Sequence, residues 1–318
     1  MDATVKSIAT NKILVIGGAG FIGVHLNSQL ISTGRQVTVL GRSETPKYEL
    51  PSGVRYVVGD FAQHDLISRL LDTHDEVIQL AYATVPNTSF ENPLVDLLQN
   101  LPSNVQLFSE VAVRGIKLIL ISSGGTVYGE VIRLPISENH PTKPISPYGV
   151  TKLTLENYAY LYAATQGLKF VCVRPANAYG VGQRPFVGQG FVATAIASAM
   201  RGIPIKIFGL HGTVRDYLYA SDLASGIVSA LVQGHLSETY NLGSGVGLSN
   251  LEVIEAIRSL MREIGCDVSL EVLPERAFDV RANVLDSTKL QIQTGWQPQV
   301  TFQDGLRRTH GWMKTIQP

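Results

Sequence analysis

The sequence predicts an α/β fold: a doubly wound parallel sheet with a smaller C-terminal unit that binds substrate. Two observations carry this. Six short β-branched runs alternate with segments of helical spacing up to residue 175, and beyond it the rhythm breaks into the glycine- and proline-rich RPANAYGVGQRPFVGQG. A glycine turn directly after the first run adds a third, because this is where such sheets meet their ligands.

The first run, KILVIG (12–17), leads into Gly17, Gly20 and Gly23 at G-x-x-G-x-x-G spacing, and a helical segment follows. Positions without β-carbons let a pyrophosphate approach the backbone amides at the positive end of a helix. The second run, QVTVL (36–40), continues into Gly41 and Arg42, where an NAD site normally has a carboxylate for the adenosine ribose. Arg42 and Ser43 suit a 2′-phosphate, or Arg42 is a solvated loop cation, so NADP stays open beside NAD. VRYVVG (54–59) ends at Asp60, an acid able either to accept from an adenine amino group or to cap the next helix. Between EVIQLA (76–81) and KLILIS (117–122) lies PLVDLLQNLPSNVQLFSEVAV, a helix that Pro102 is expected to kink or delay.

In SPYGVTK, Ser146 reads as an N-cap and Pro147 as a first helical residue, which places Tyr148 and Lys152 four apart on one helix face. A nearby ammonium favours the phenolate, so the pair suits a general base acting on a sugar or alcohol hydroxyl. The sixth run, KFVCVR (169–174), closes the dinucleotide-binding unit, 1–175, to which part of 213–236 returns. The remainder, 176–318, holds two shorter strand candidates, PIKIFG and VSLEVL.

With GGAGFIG, SSGGTVYG and YGVTK in this order, the chain resembles the extended short-chain dehydrogenase/reductase family, and within it the nucleotide-sugar epimerases and dehydratases typified by UDP-galactose 4-epimerase. RPANAYG, GTVRDYLYASDLA, YNLGSG, ERAFDV and TGWQPQVTFQDGL extend the resemblance over nearly the whole chain. It implies a Rossmann sheet with NAD held by Gly17, Gly20, Phe21, Ile22, Gly23, Arg42, Asp60, Phe61, Leu80 and Ala81, together with Tyr148 and Lys152. It also implies a nucleotide-diphosphate clamp from Arg215 and Arg276, with Asp279 at the ribose or base and Asn177 near the sugar. Local ion pairing with Asp216 or Asp222 is the alternative for Arg215, and an exposed loop charge the alternative for Arg276.

Three departures from the family pattern stand out. Gln79 replaces a histidine, and an asparagine is missing from VGQGFVATA, leaving Phe191 or the Gly188 and Gly190 backbone to substitute. Gly124 occupies the slot of the catalytic Ser or Thr; of the nearby hydroxyls, Thr126 is the first candidate and Ser123 the second. The implied reaction inverts C4 of a UDP-hexose through a 4-keto sugar. The rivals are an NADPH-dependent 4-keto-sugar reductase and a non-catalytic dinucleotide sensor.

Lys plus Arg and Asp plus Glu are both 26, so no broad attraction to nucleic acid or membrane is expected. The only cysteines, Cys172 and Cys266, form no CxxC pair, and the opening residues have no apolar signal core, which fits a cytoplasmic protein without metal. By the same resemblance, helices at 93–113 and 147–165 would pair across a two-fold axis in a homodimer.

Overall fold

The computed structural model describes residues 11–276 and 280–316. The chain runs β1 (Lys12–Ile16), α1 (Phe21–Ser32), β2 (Gln36–Gly41), β3 (Arg55–Val58), α2 (His64–Leu71), β4 (Glu76–Gln79), α3 (Pro86–Glu91), α4 (Pro93–Arg114), β5 (Lys117–Ile121), α5 (Pro147–Gln166) and β6 (Lys169–Pro175). It continues through β7 (Asn177–Tyr179), α6 (Phe191–Met200), β8 (Ile205–Phe208), β9 (Val214–Tyr219), α7 (Ala220–Gln233), β10 (Thr239–Leu242) and β11 (Gly247–Ser249). The last elements are α8 (Asn250–Arg262), β12 (Leu270–Leu273), β13 (Ala282–Asn283), α9 (Thr288–Thr294) and α10 (Phe302–Ile316).

Seven strands form one parallel sheet in the order β10-β6-β5-β4-β1-β2-β3. Alternation along β1 sends Ile13 and Val15 to one face, against Leu26 of α1 and Ile227 of α7. Leu14 and Ile16 face the opposite layer, with Phe108 of α4 and Leu155 of α5. Burial on both faces is why β1, β2, β4, β5 and β6 read as predominantly apolar stretches, whereas β3, at the sheet edge, stays partly exposed. All six expected runs are strands, and β10 adds a seventh from the second half of the chain. The order reverses between β1 and β4, which opens a crevice beyond the strands' carboxyl ends.

α4 passes through Pro102 without ending. Asn100 and Asn104 each donate a side-chain amide at 2.7 Å to the carbonyl one turn earlier, adding bonds beside the one that proline removes. In the second half, β9 pairs with β7, β11 and β13, while β8 and β12, the two shorter strand candidates, pair in parallel. α6, α8 and α10 supply their own apolar core, including Ile196, Ile257 and Met313. Among the described residues no helix is long and apolar enough to cross a membrane, and no cluster of His, Cys, Asp or Glu could hold a metal ion.

One polar cluster lies inside this apolar frame. Arg174 of β6 forks onto Glu156 of α5 at 3.0 and 2.6 Å, and its remaining nitrogen donates to the Tyr128 hydroxyl at 2.9 Å. Tyr128 in turn donates to Asn241 of β10 at 2.7 Å. Replacing one partner strands the other charge away from water, so Glu156→Ala should cost about 3–5 kcal/mol. Urea unfolding measures this, and a loss below about 1 kcal/mol, the level of an exposed pair, would refute the assignment.

Candidate active site

A cavity of about 1270 Å³ occupies the crevice, larger than the roughly 300–1,000 Å³ typical of one small-ligand site. It therefore has room for a dinucleotide and a second ligand. Gly17, Gly20, Phe21, Ile22 and Gly23 line one end. A Cβ on Gly23 would lie 2.2 Å from the Gly18 oxygen, so only glycine lets α1 pack directly on the turn. A Cβ on Gly20, the N-cap, would meet nothing nearer than the Gly17 oxygen at 3.5 Å, and no side chain caps the helix. An open, uncapped helix end on a cavity fits the pyrophosphate of a dinucleotide such as NAD.

Arg42, Asp60, Phe61, Leu80 and Ala81 line the same end. Asp60 accepts from the Ala62 amide at 2.8 Å, bracing the turn before α2. Any side chain at Gly41 would start 2.6 Å from the Tyr56 hydroxyl, which donates to the Ser43 carbonyl at 2.7 Å. A side chain at 41 would therefore require Tyr56 to shift; Arg42 is exposed. Gln79 is buried and donates to the Ala81 carbonyl at 2.8 Å, so it holds the bend that brings Leu80 and Ala81 to the wall.

In the middle, Ser146 caps α5 by accepting from the Gly149 amide at 3.1 Å, and Pro147 opens the helix. The Tyr148 amide donates to the buried Ser89 hydroxyl at 3.2 Å. Lys152 is buried and donates to the Ile121 carbonyl at 2.8 Å, with Nζ 5.7 Å from the Tyr148 ring centroid. The expected lowering of the Tyr148 pKa is not what this arrangement produces. Burial pushes the phenol up, and the Asp96 carboxylate pushes it further the same way. Burial also draws Lys152 down to about 8, against the pull of Cys172, Asp96 and Glu156.

The residue in the expected hydroxyl slot, Gly124, has no space for a side chain. Its Cβ would lie 2.4 Å from Leu285 Cδ1 and 2.9 Å from the Arg174 oxygen. The chain then turns tightly, with the Thr126 and Val127 amides both donating to the Ser123 carbonyl at 3.3 and 3.2 Å. This turn replaces the strand geometry that parity assumed. Ser123 and Thr126 both line the cavity, and the Thr126 hydroxyl is buried with no protein partner among the described residues. A Cβ on Gly149 would lie 2.8 Å from the Thr126 carbonyl, so the turn presses against the first turn of α5, beside Tyr148.

Asn177, Arg215 and Arg276 line the same cavity. Arg215 donates to the Val214 carbonyl at 2.9 Å, while Asp216 accepts from Ser244, Gly245 and Leu285, and Asp222 from the Gln299 and Val300 amides. Arg276 stacks on Phe208, its guanidinium carbon 3.9 Å from the ring centroid. Asp279 lies outside the described residues. Gly188, Gly190 and Phe191, at the uncapped start of α6, also border the cavity. Sequence reasoning missed Tyr82, Thr84 and Ser89 near the middle and Lys206 and Asn250 elsewhere on the lining. Only Tyr82 carried a signal, since it directly follows the expected Leu80 and Ala81.

The model of the NAD-dependent epimerase/dehydratase family matches residues 13–243. The UDP-glucose 4-epimerase of Mycolicibacterium smegmatis is 33% identical over 306 residues, covering 94% of this chain and 97% of that one. Among solved structures, the Thermotoga maritima UDP-glucose 4-epimerase with UDP-glucose has a TM-score of 0.90 at 32% identity, covering 96% of this chain and 100% of that chain. The Thermus thermophilus UDP-glucose 4-epimerase in complex with NAD has a TM-score of 0.87 at 33% identity, covering 95% and 99%.

The packing at Gly124 can be tested directly. Gly124→Ser should overpack the loop and cost about 1–3 kcal/mol, and the cost should shrink when Leu285→Ala vacates the space. Equal costs in both backgrounds, from thermal unfolding, would show that Leu285 does not exclude the side chain.

Proposed function

The chain belongs to the NAD-dependent epimerase/dehydratase family, and from that premise we propose that it is a nucleotide-sugar 4-epimerase inverting C4 of a UDP-hexose with bound NAD. One observation carries this reading: the glycine cradle, the Tyr148–Lys152 pair and the two arginines line a single cavity. The related UDP-glucose 4-epimerases, one solved with UDP-glucose and one with NAD, support the sugar nucleotide and the cofactor.

When bound in the glycine cradle, NAD supplies a reversible hydride acceptor. Tyr148 takes the proton of the sugar 4-hydroxyl as hydride leaves C4, and gives it back once the 4-keto sugar has presented its other face. Burial makes the Tyr148 phenolate costly, so it needs a nearby cation, and Lys152 provides it while holding the cofactor ribose. Thr126 donates to the oxygen on C4 with a hydroxyl that has no partner among the described residues, and Ser123 is the second donor. Arg215 and Arg276 pair with the diphosphate, Asn177 contacts the sugar, and Asp279 serves the ribose or base. In this division of labour 1–175, with the returning segment, holds the cofactor and 176–318 the nucleotide sugar.

Arg42 favours a second reading, an NADPH-dependent reductase of a nucleotide 4-keto sugar, because it stands on the cavity wall next to Gly41, where no acid is present. Interconversion of UDP-glucose and UDP-galactose without added nucleotide supports the epimerase; stoichiometric NADPH loss with a 4-keto sugar supports the reductase. We also infer a homodimer through α4 and α5, which pack side by side and expose Leu94, Leu97, Leu98, Val150 and Leu161. Sedimentation of Leu98→Glu should show monomers, and a persistent dimer would sink this assignment.

Tyr148→Phe should lower turnover by about 10²–10⁴-fold, the usual contribution of a general base, and leave the co-purifying nucleotide in place. Thr126→Ala should cost more than Ser123→Ala. Unchanged turnover in the first variant would overturn the acid–base role, and the reverse order in the pair would reassign the hydroxyl.

A further inference from the structure

Beside Tyr148 stands a second phenol to which the mechanism above gives no task. Tyr82 follows β4 on the cavity wall, and its ring meets that of Tyr148 edge-on, with centroids 4.8 Å apart and planes at 65°. The Lys152 Nζ lies 4.1 Å from the Tyr82 centroid, nearer than the 5.7 Å to that of Tyr148. We propose that Tyr82 is a positioning residue whose ring face seats the Lys152 ammonium and keeps it charged beside Tyr148, an assignment that rests on reading Tyr148 and Lys152 as the acid–base pair.

A buried ammonium needs compensation, and the groups around Lys152 can be named element by element. The Ile121 carbonyl of β5 accepts its hydrogen bond, Tyr82 faces it from the segment after β4, and Tyr148 and Glu156 share α5 with it. Asp96 of α4 and Cys172 of β6 act at longer range. Glu156 is committed to the fork with Arg174, and Asp96 accepts from the hydroxyls of Thr84 and Thr151. Among the described residues no carboxylate lies within ion-pair distance of Lys152. The negative face of an aromatic ring within about 6 Å is then the nearest stabiliser besides a carbonyl. Burial first and Asp96 second push the Tyr82 phenol up, as they do that of Tyr148, so what sets Tyr82 apart is geometric: its ring lies nearer the Lys152 ammonium. The Tyr82 hydroxyl is buried on the side of Asp96 and Thr151, while its ring face meets Lys152.

The test titrates Lys152 itself by carbon NMR of the full chain labelled at lysine Cε, with the signal identified by its loss in Lys152→Arg. Phenylalanine and its 4-fluoro and 3,4,5-trifluoro analogues at position 82 keep the ring's shape while weakening its π face. A ring that stabilises the ammonium holds its pKa up, so the midpoint should fall stepwise along the series, by roughly 0.5–1.5 pH units in all. Tyr82→Leu should fall to the bottom of that range, and Tyr82→Phe should stay near the native protein. A flat series overturns the proposal, and so does a Tyr82→Phe midpoint as low as that of Tyr82→Leu, which would assign the effect to the hydroxyl. Should Tyr82→Leu fail to fold, the fluorinated series alone decides. Absence of UDP-sugar turnover in the native protein would strike the epimerase reading and leave this titration standing.

Discussion

The buried fork between Arg174 and Glu156 is the contact on which the geometry of the site depends. Glu156 lies one turn beyond Lys152 and two beyond Tyr148, on the same face of α5. A bidentate guanidinium–carboxylate pair admits one register, so fastening Glu156 to β6 fixes where the first turns of α5 sit against β5. The Lys152 contact with the Ile121 carbonyl follows from that placement. A buried ion pair adds little stability over a well-packed apolar pair, so its value here lies in the register it imposes.

The same arginine shapes the loop facing Tyr148. Its backbone neighbours take the loop's amides, Ser122 onto the Val173 carbonyl at 2.8 Å and Gly124 onto the Pro175 carbonyl at 2.9 Å. The loop is thereby fastened along the end of β6, with the Arg174 oxygen close to Gly124 on one side and Leu285 close on another. Leu285 belongs to a small apolar cluster with Val127, Tyr128, Ile136 and Ala176, reached from the second half of the chain. The missing hydroxyl at 124 is thus a consequence of packing: the space that a side chain would need is filled by this cluster. Donor chemistry falls to the next residue whose hydroxyl reaches the cavity, and Thr126, beyond the turn, is so placed.

Much of this was legible in the sequence, for physical reasons. Five of the six strands announced themselves because burial on both faces leaves little room for polar residues, edge strand β3 by its β-branched run, and the start of α5 because Ser146 and Pro147 do what an N-cap and a first helical residue do. Each site residue expected within the described part borders one cavity, since all lie at the strands' carboxyl ends or on the segments that cross them. β10 was less legible: TYNL is four residues long, and it becomes a strand only through pairing with distant β6. The electrostatics were illegible for a similar reason. Spacing shows that Tyr148 and Lys152 share a face, but not that Asp96 arrives from α4 or that Lys152 is drawn toward the Ile121 carbonyl.

The two buried cations of this region show how a protein with no net charge can still present positive charge to an anionic ligand. Arg174 is neutralised by a carboxylate at hydrogen-bond distance and works in the frame, away from the cavity lining. Lys152 lies on the lining and rests against a carbonyl and an aromatic face, neither of which carries formal charge. A ring stabilises an ammonium without cancelling it, so the field of the cation still reaches the neighbouring phenol and whatever anion enters. A carboxylate in place of Tyr82 would hold Lys152 more firmly, but it would also oppose ionisation of Tyr148, as Asp96 already does from behind. An aromatic residue at that position meets both demands, because its face stabilises the ammonium without bringing a formal charge next to the base.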